Sequence, residues 1–164
     1  MRLVPLAMLS LRMSCTSDVP PLSWREANDT VTRIGGWRVY TREAQQAELF
    51  ITTVPRNERA LPPAVQLDFS DTCQGRPNRA LILSELATFL NQIEAHSGTP
   101  AILLLTPEFE KEYQVSKSID RTVWLEGNWL LPDYSARPWV MWTANLKRRI
   151  DGVDGPVRWV VVRK

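Results

Sequence analysis

Histidine is almost missing from this chain of 164 residues, His96 being the only one. A histidine-based catalytic triad or a zinc site of the usual Cys/His type therefore has nothing to be built from. Cysteine is scarce as well. Cys15 and Cys73 allow a single disulfide, which export would permit but which spacing alone does not establish. An excess of one charge is also lacking: 20 basic and 18 acidic residues are mixed along the chain, for a net charge of +2. That excludes the concentrated basic face that nucleic-acid binding requires. No apolar run approaches the ~20 residues of a membrane-spanning helix. There is no internal repeat or low-complexity segment, and no metal or cofactor is expected.

What is present fits one soluble-type domain with a real core: 44% hydrophobic and 23% charged residues, with prolines (12) and tryptophans (7) both on the high side. Many prolines suit a loop-rich α/β protein. Tryptophan stacks well on sugars and other flat ligands, although packing accounts for most tryptophans in most proteins.

The first fifteen residues have a basic start at Arg2, an apolar run from Leu3 to Leu11, and then Arg12-Met13-Ser14-Cys15. They resemble a short secretory signal or a lipoprotein-type signal with Cys15 as the acylated residue, which points to a secreted or envelope (periplasmic) protein. Residues 16–35 form an irregular stretch, with a short helix at Trp24–Ala27 and a Gly35-Gly36 break. Trp37–Tyr40 alternates as a strand, and Thr41 offers an N-cap to a helix from Arg42 to Thr53 that Pro55 ends.

The stretch around which the rest is arranged is Leu61–Asp71. After two prolines, Ala64–Phe69 alternates apolar and polar residues, so Gln66 and Asp68 share one face and Val65, Leu67 and Phe69 the other. Two readings stand: a buried strand presenting polar groups to a site, or an edge strand with a solvated face. Pro77-Asn78 opens the clearest helix, which runs to His96 with Gly98 as its stop. The continuous apolar run Pro100–Thr106 is a strand covered on both faces. Strand, helix and strand make a βαβ unit. After a short helix at Pro107–Tyr113, strands are predicted at Thr122–Glu126, Trp139–Trp142 and Val157–Val162, with the 151–155 turn before the last.

This succession resembles the glycoside hydrolase family 25 muramidases, the Chalaropsis-type lysozymes, over roughly residues 36–162. The resemblance is carried by Gln46–Ile51 with Val54-Pro55, Leu61–Asp68, Leu86–Pro100, Leu105–Phe109, Val123-Trp124, Pro138–Trp142 and Ile150–Val157. It implies an α/β fold, a partial or irregular TIM-like (β/α) barrel that is strand-rich at its C-terminal end, over residues 36–164. It also implies a peptidoglycan or related glycan as partner.

The departures fall on the chemistry. The family's central D-x-E becomes Gln66-Leu67-Asp68, so the acidic neighbour is lost and the proton donor is one methylene shorter. A displacement of about 1 Å costs on the order of a hundredfold in rate. The family's W-Q-Y becomes Trp142-Thr143-Ala144, a tyrosine becomes Leu104, and an active-site Asp becomes Arg158. The opening strand and its early Asp are not found before residue 36.

The implied site is Asp68 as candidate acid/base and Gln66 at the lost Asp, with Trp124, Trp139, Trp142 and Arg158 as substrate-binding candidates and Trp129 as a further stacking residue. Asp71 is a candidate recruit. Glu126 closes a barrel-type strand, where such folds keep their sites. His96, near a helix C-terminus, reads as structural. An Arg158 facing Asp68 favours the ionised carboxylate, whereas a general acid must carry a proton. The expectation is a lysozyme-like cell-wall glycan protein, weakly active or inactive. The alternatives are a glycan-binding protein that does no chemistry, and a truncated relic whose unpaired sheet edges favour self-association.

Overall fold

The computed structural model describes residues 8–13, 32–35, 42–57, 60–69 and 76–163. Trp24–Ala27, Trp37–Tyr40, Thr41, Asp71 and both cysteines lie outside them. The elements are β1 (Met8–Met13), β2 (Thr32–Gly35), α1 (Arg42–Thr53), β3 (Ala64–Phe69), α2 (Arg79–Ser97), β4 (Ile102–Leu105), α3 (Pro107–Tyr113), α4 (Val115–Ser118), β5 (Thr122–Glu126), β6 (Trp139–Arg148) and β7 (Val157–Val162).

All seven strands join one sheet in the order β2-β1-β3-β4-β5-β6-β7. Neighbours from β2 to β6 run parallel, and β7 returns antiparallel beside β6. This is a mixed α/β pattern with a strand-rich C-terminal end. Parallel neighbours need a crossover, and α2 supplies the one between β3 and β4. The antiparallel β6–β7 pair needs only a turn, so no helix intervenes there.

Strand alternation divides the core. Val65, Leu67, Leu103, Leu105, Val123 and Leu125 face the helices and pack with Ile82, Leu86, Phe89, Leu90 and Ile93 of α2. Ala64, Leu104 and Trp124 form a smaller cluster on the opposite, inner face. β3 is therefore an interior strand, and the edge-strand reading of Ala64–Phe69 does not hold. Gln66 and Asp68 are 4% and 8% exposed. The helix ends follow their local chemistry. The Asn78 side chain accepts the Ala80 N–H at 2.8 Å, and Gly98 closes α2 at φ 75°.

Two segments differ from the sequence reading. The apolar run taken as part of a signal-like segment supplies β1, paired to β2 on one side and to β3 on the other. Six apolar-rich residues satisfy a signal core and a buried strand equally well. Residues 8–13 and 32–35 thus lie in the same sheet as residues 64–162, and strands do stand before residue 36 where none of the opening ones were expected. In addition, β6 does not stop at Trp142 but continues to Arg148, because β7 pairs with it as far as Val157.

Candidate functional site

The polar groups of the inner face gather at the C-terminal ends of the strands. On β3, Gln66 Nε2 donates to Asp68 Oδ2 at 3.0 Å. This bond assigns the amide orientation and leaves Gln66 Oε1, buried, as an acceptor with no hydrogen-bond donor among the described residues. Register carries the same level across the sheet. Leu67 lies opposite Leu105, and Leu105 opposite Leu125. Asp68, Thr106 and Glu126 therefore follow one another across β3, the end of β4, and β5. On the other side of β3, the register sets Arg12 of β1 against Asp68.

Trp124 is buried on the inner face, and its indole N–H donates to Thr143 Oγ1 at 3.0 Å. Arg158 reaches over it from β7, with Cζ 5.6 Å from the ring centroid. Burial pulls the Arg158 guanidinium below its ordinary pKa, and the negative charges of Glu126 and then Asp68 pull it back up. One cation thus stands in the field of both carboxylates.

Behind Glu126, the Tyr134 hydroxyl accepts the Glu126 N–H at 2.8 Å and donates to the Leu105 carbonyl at 2.6 Å. Burial raises the Tyr134 pKa well above the ordinary tyrosine value. The phenol stays protonated and clamps the ends of β4 and β5. Nothing in the sequence around Asp133-Tyr134 signals this, nor the partnership of Thr143 with Trp124.

A cleft of about 470 Å³ opens at this end, lined by Glu108, Glu126, Asn128, Asn145 and Lys147 among others. The C-terminal end of the strands is where parallel α/β folds place their ligands. A second cavity of about 330 Å³ lies between α1 and the end of α2, beside Phe50, Arg56 and His96. There His96 Nε2 is 2.7 Å from the Val54 carbonyl, and Arg56 donates to the carbonyls of Ala95 and His96 at 2.6 and 2.7 Å. His96 ties two helix ends together.

Gln66, Asp68, Trp124 and Arg158 are thus brought together, with Glu126 beside them. Trp139 and Trp142 are not. Both pack against the helix-side core. The register shift between Val123 and Trp124, where β5 meets β6, puts them on that face, and a sequence does not reveal such an irregularity. Trp129 is 61% exposed at φ 61°, its ring edge-on to Trp159 at 6.1 Å. Among the described residues, no group of three His, Cys, Asp or Glu is placed to hold a metal ion.

Chemically, the arrangement offers two carboxylates, a guanidinium and a spare amide acceptor on a buried face. Hydroxyl and amide groups of a polar ligand match these. Asp68 is buried, accepts the Gln66 N–H and lies in the field of the Arg158 charge.

No family model and no curated protein matches the chain. Solved structures do. A family 25 glycosyl hydrolase from Bacillus anthracis superposes with TM-score 0.65 at 21% identity, over 94% of this chain and 75% of that one. A bacterial lysozyme from Streptomyces coelicolor gives 0.64 at 14% identity, over 98% of this chain and 82% of the other. A muramidase from Acremonium alcalophilum gives 0.62 at 12%, over 96% and 82%. The chain has the fold of the family 25 glycoside hydrolases, the family that its motifs resemble.

Proposed function

We propose that this chain is a lysozyme-like cell-wall protein, related to the peptidoglycan N-acetylmuramidases, that binds its glycan at the C-terminal ends of β3 and β5 and the adjoining start of β7 and cleaves it weakly or not at all. The observation that carries the reading is the setting of Asp68. It is the one carboxyl left at the D-x-E positions, it accepts a hydrogen bond from Gln66, and it lies in the field of Arg158. A general acid must hold a proton until the glycosidic oxygen takes it, and an amide donor beside a guanidinium is not a setting built to keep one there. The shorter side chain adds about a hundredfold if the acid falls about 1 Å short.

What remains is suited to recognition. The carboxylates and the free Gln66 carbonyl accept hydrogen bonds, and Arg158 donates them. A secreted or envelope location follows from the proposed ligand. No helix among the described residues is long and apolar enough to cross a membrane.

The test is release of reducing sugar from purified peptidoglycan, for wild type beside Asp68→Ala, with a peptidoglycan pull-down on the same preparations. Retention in the pull-down without release is the expected result. Rapid release that Asp68→Ala abolishes would establish a working muramidase instead. Absence of both binding and release, in a chain that unfolds cooperatively, would remove the glycan from the reading.

A further inference from the structure

We propose that Glu126 is the second carboxylate of a hydrolytic pair with Asp68, and that Arg158 holds this pair silent. The inference rests on the reading that this end of the sheet takes a glycan.

Three observations carry it. First, strand alternation puts Glu126 on the same face as Trp124, which packs on the inner cluster, and that is the face of Gln66 and Asp68. Second, the register sets Asp68 and Glu126 at one level with only the Thr106 position between them. Strands two apart are separated by about 9.5 Å. That spacing stands at the upper end of the roughly 6.5–9.5 Å range in which one carboxyl protonates a leaving oxygen while the other activates water. Third, Glu126 borders the open cleft, whereas Asp68 is buried and does not line it.

The roles follow from the surroundings. Asp68 accepts the Gln66 amide N–H, so Asp68 is the base. Glu126 is one methylene longer and faces the cleft, so it is the acid. In the step, the Glu126 carboxyl proton passes to the glycosidic oxygen as the bond from C1 to that oxygen breaks. A water oxygen bonds to C1 from the opposite face, and its proton passes to Asp68. Arg158 stands over the Trp124 ring on this same face, its Cζ 5.6 Å from the centroid, and a positive charge placed there opposes a proton on the acid.

The experiment compares Arg158→Met and Arg158→Gln with wild type and Arg158→Lys for reducing-sugar release from peptidoglycan, with pull-down as the binding control. The neutral variants are expected to gain at least about a hundredfold, the usual scale of general acid catalysis, and Lys to stay silent. Adding Glu126→Gln or Asp68→Asn should abolish the gain. A neutral variant that binds peptidoglycan like wild type yet releases nothing overturns the pair, as does a gain that survives Glu126→Gln. Failure of the wild type to bind peptidoglycan would instead sink the underlying glycan reading, and this inference with it. If the neutral variants do not fold, wild-type side-chain carboxyl ¹³C shifts decide. Ionised Asp68 and Glu126 at neutral pH support the lock, and a proton on either one refutes it.

Discussion

Glu94 allows the packing argument to be tested quantitatively. Near the end of α2, its carboxylate takes Arg121 Nε at 2.6 Å and Nη2 at 2.7 Å, and the Ala101 N–H at 2.8 Å. One side chain thus ties the long helix to the start of β4 and to the loop before β5. Burial alone raises the Glu94 pKa, but the Arg121 bonds, the Ala101 bond and the Arg121 charge outweigh it and hold the carboxyl below its ordinary value.

Glu94→Ala removes a forked ion pair and strands a backbone N–H. Charged hydrogen bonds contribute roughly 1.5–3 kcal/mol each when buried. Here the contributions overlap, and the 27% exposure of the Arg121 side chain adds solvent screening. The expected loss is therefore about 2–3 kcal/mol, seen as a fall in Tm of about 4–12 °C at this chain length. A double-mutant cycle with Arg121→Ala should give about 1–2 kcal/mol of coupling. The sign with pH follows from the lowered pKa. The stabilisation is full above the unfolded carboxyl value, near 4.3, and is lost as pH falls through the folded one. Urea unfolding of wild type and variant, followed by circular dichroism from pH 7 to 3, should show the gap closing on acidification. Coupling within about 0.3 kcal/mol of zero, or a gap unchanged at pH 3, would refute the clamp.

Two further effects follow from local geometry. Gly98→Ala should cost about 1 kcal/mol in urea unfolding. Nothing lies within 4 Å of the added Cβ, so the whole cost is that of the left-handed φ of 75°. Tyr134→Phe should cost about 1–3 kcal/mol, because it leaves the Glu126 N–H without its acceptor and the Leu105 carbonyl without its donor. In the wild type, ultraviolet titration should find Tyr134 ionising above the ordinary tyrosine range, so its contribution to stability is present below about pH 10 and fades as the pH rises further.

How much of this was legible in the sequence depended on whether a signal was local. The period of two in Ala64–Phe69, the apolar face from Leu81 to Ile93 and the Asn78 and Gly98 caps are written within a few residues, and β3 and α2 follow them. Thr106 was taken as strand. It instead accepts the Phe109 N–H at 3.4 Å and caps α3, a choice that depends on Pro107 opening that helix. β1 was the costly ambiguity, since nothing within Met8–Met13 tells a signal core from a strand. Only its partners β2 and β3 decide, and they lie twenty and more residues away.

The candidate site shows the same division more sharply. That Gln66 and Asp68 share a face could be argued from strand period, and the place of Glu126 from its position at a strand end, whereas Arg158 came in only through the family resemblance. The fate of the tryptophans could not. Trp124, Trp139 and Trp142 carry identical side chains on neighbouring strands, yet only the first faces the site, because one register shift between Val123 and Trp124 turns β6 relative to β5. The chemistry is less local still. The guanidinium that stands in the field of Asp68 and Glu126 comes from the far end of the chain, brought across β6 by an antiparallel turn. If Arg158 holds the proposed pair silent, a single substitution at residue 158 changes what two carboxylates do without moving either of them, and the release assay on Arg158→Met and Arg158→Gln decides it.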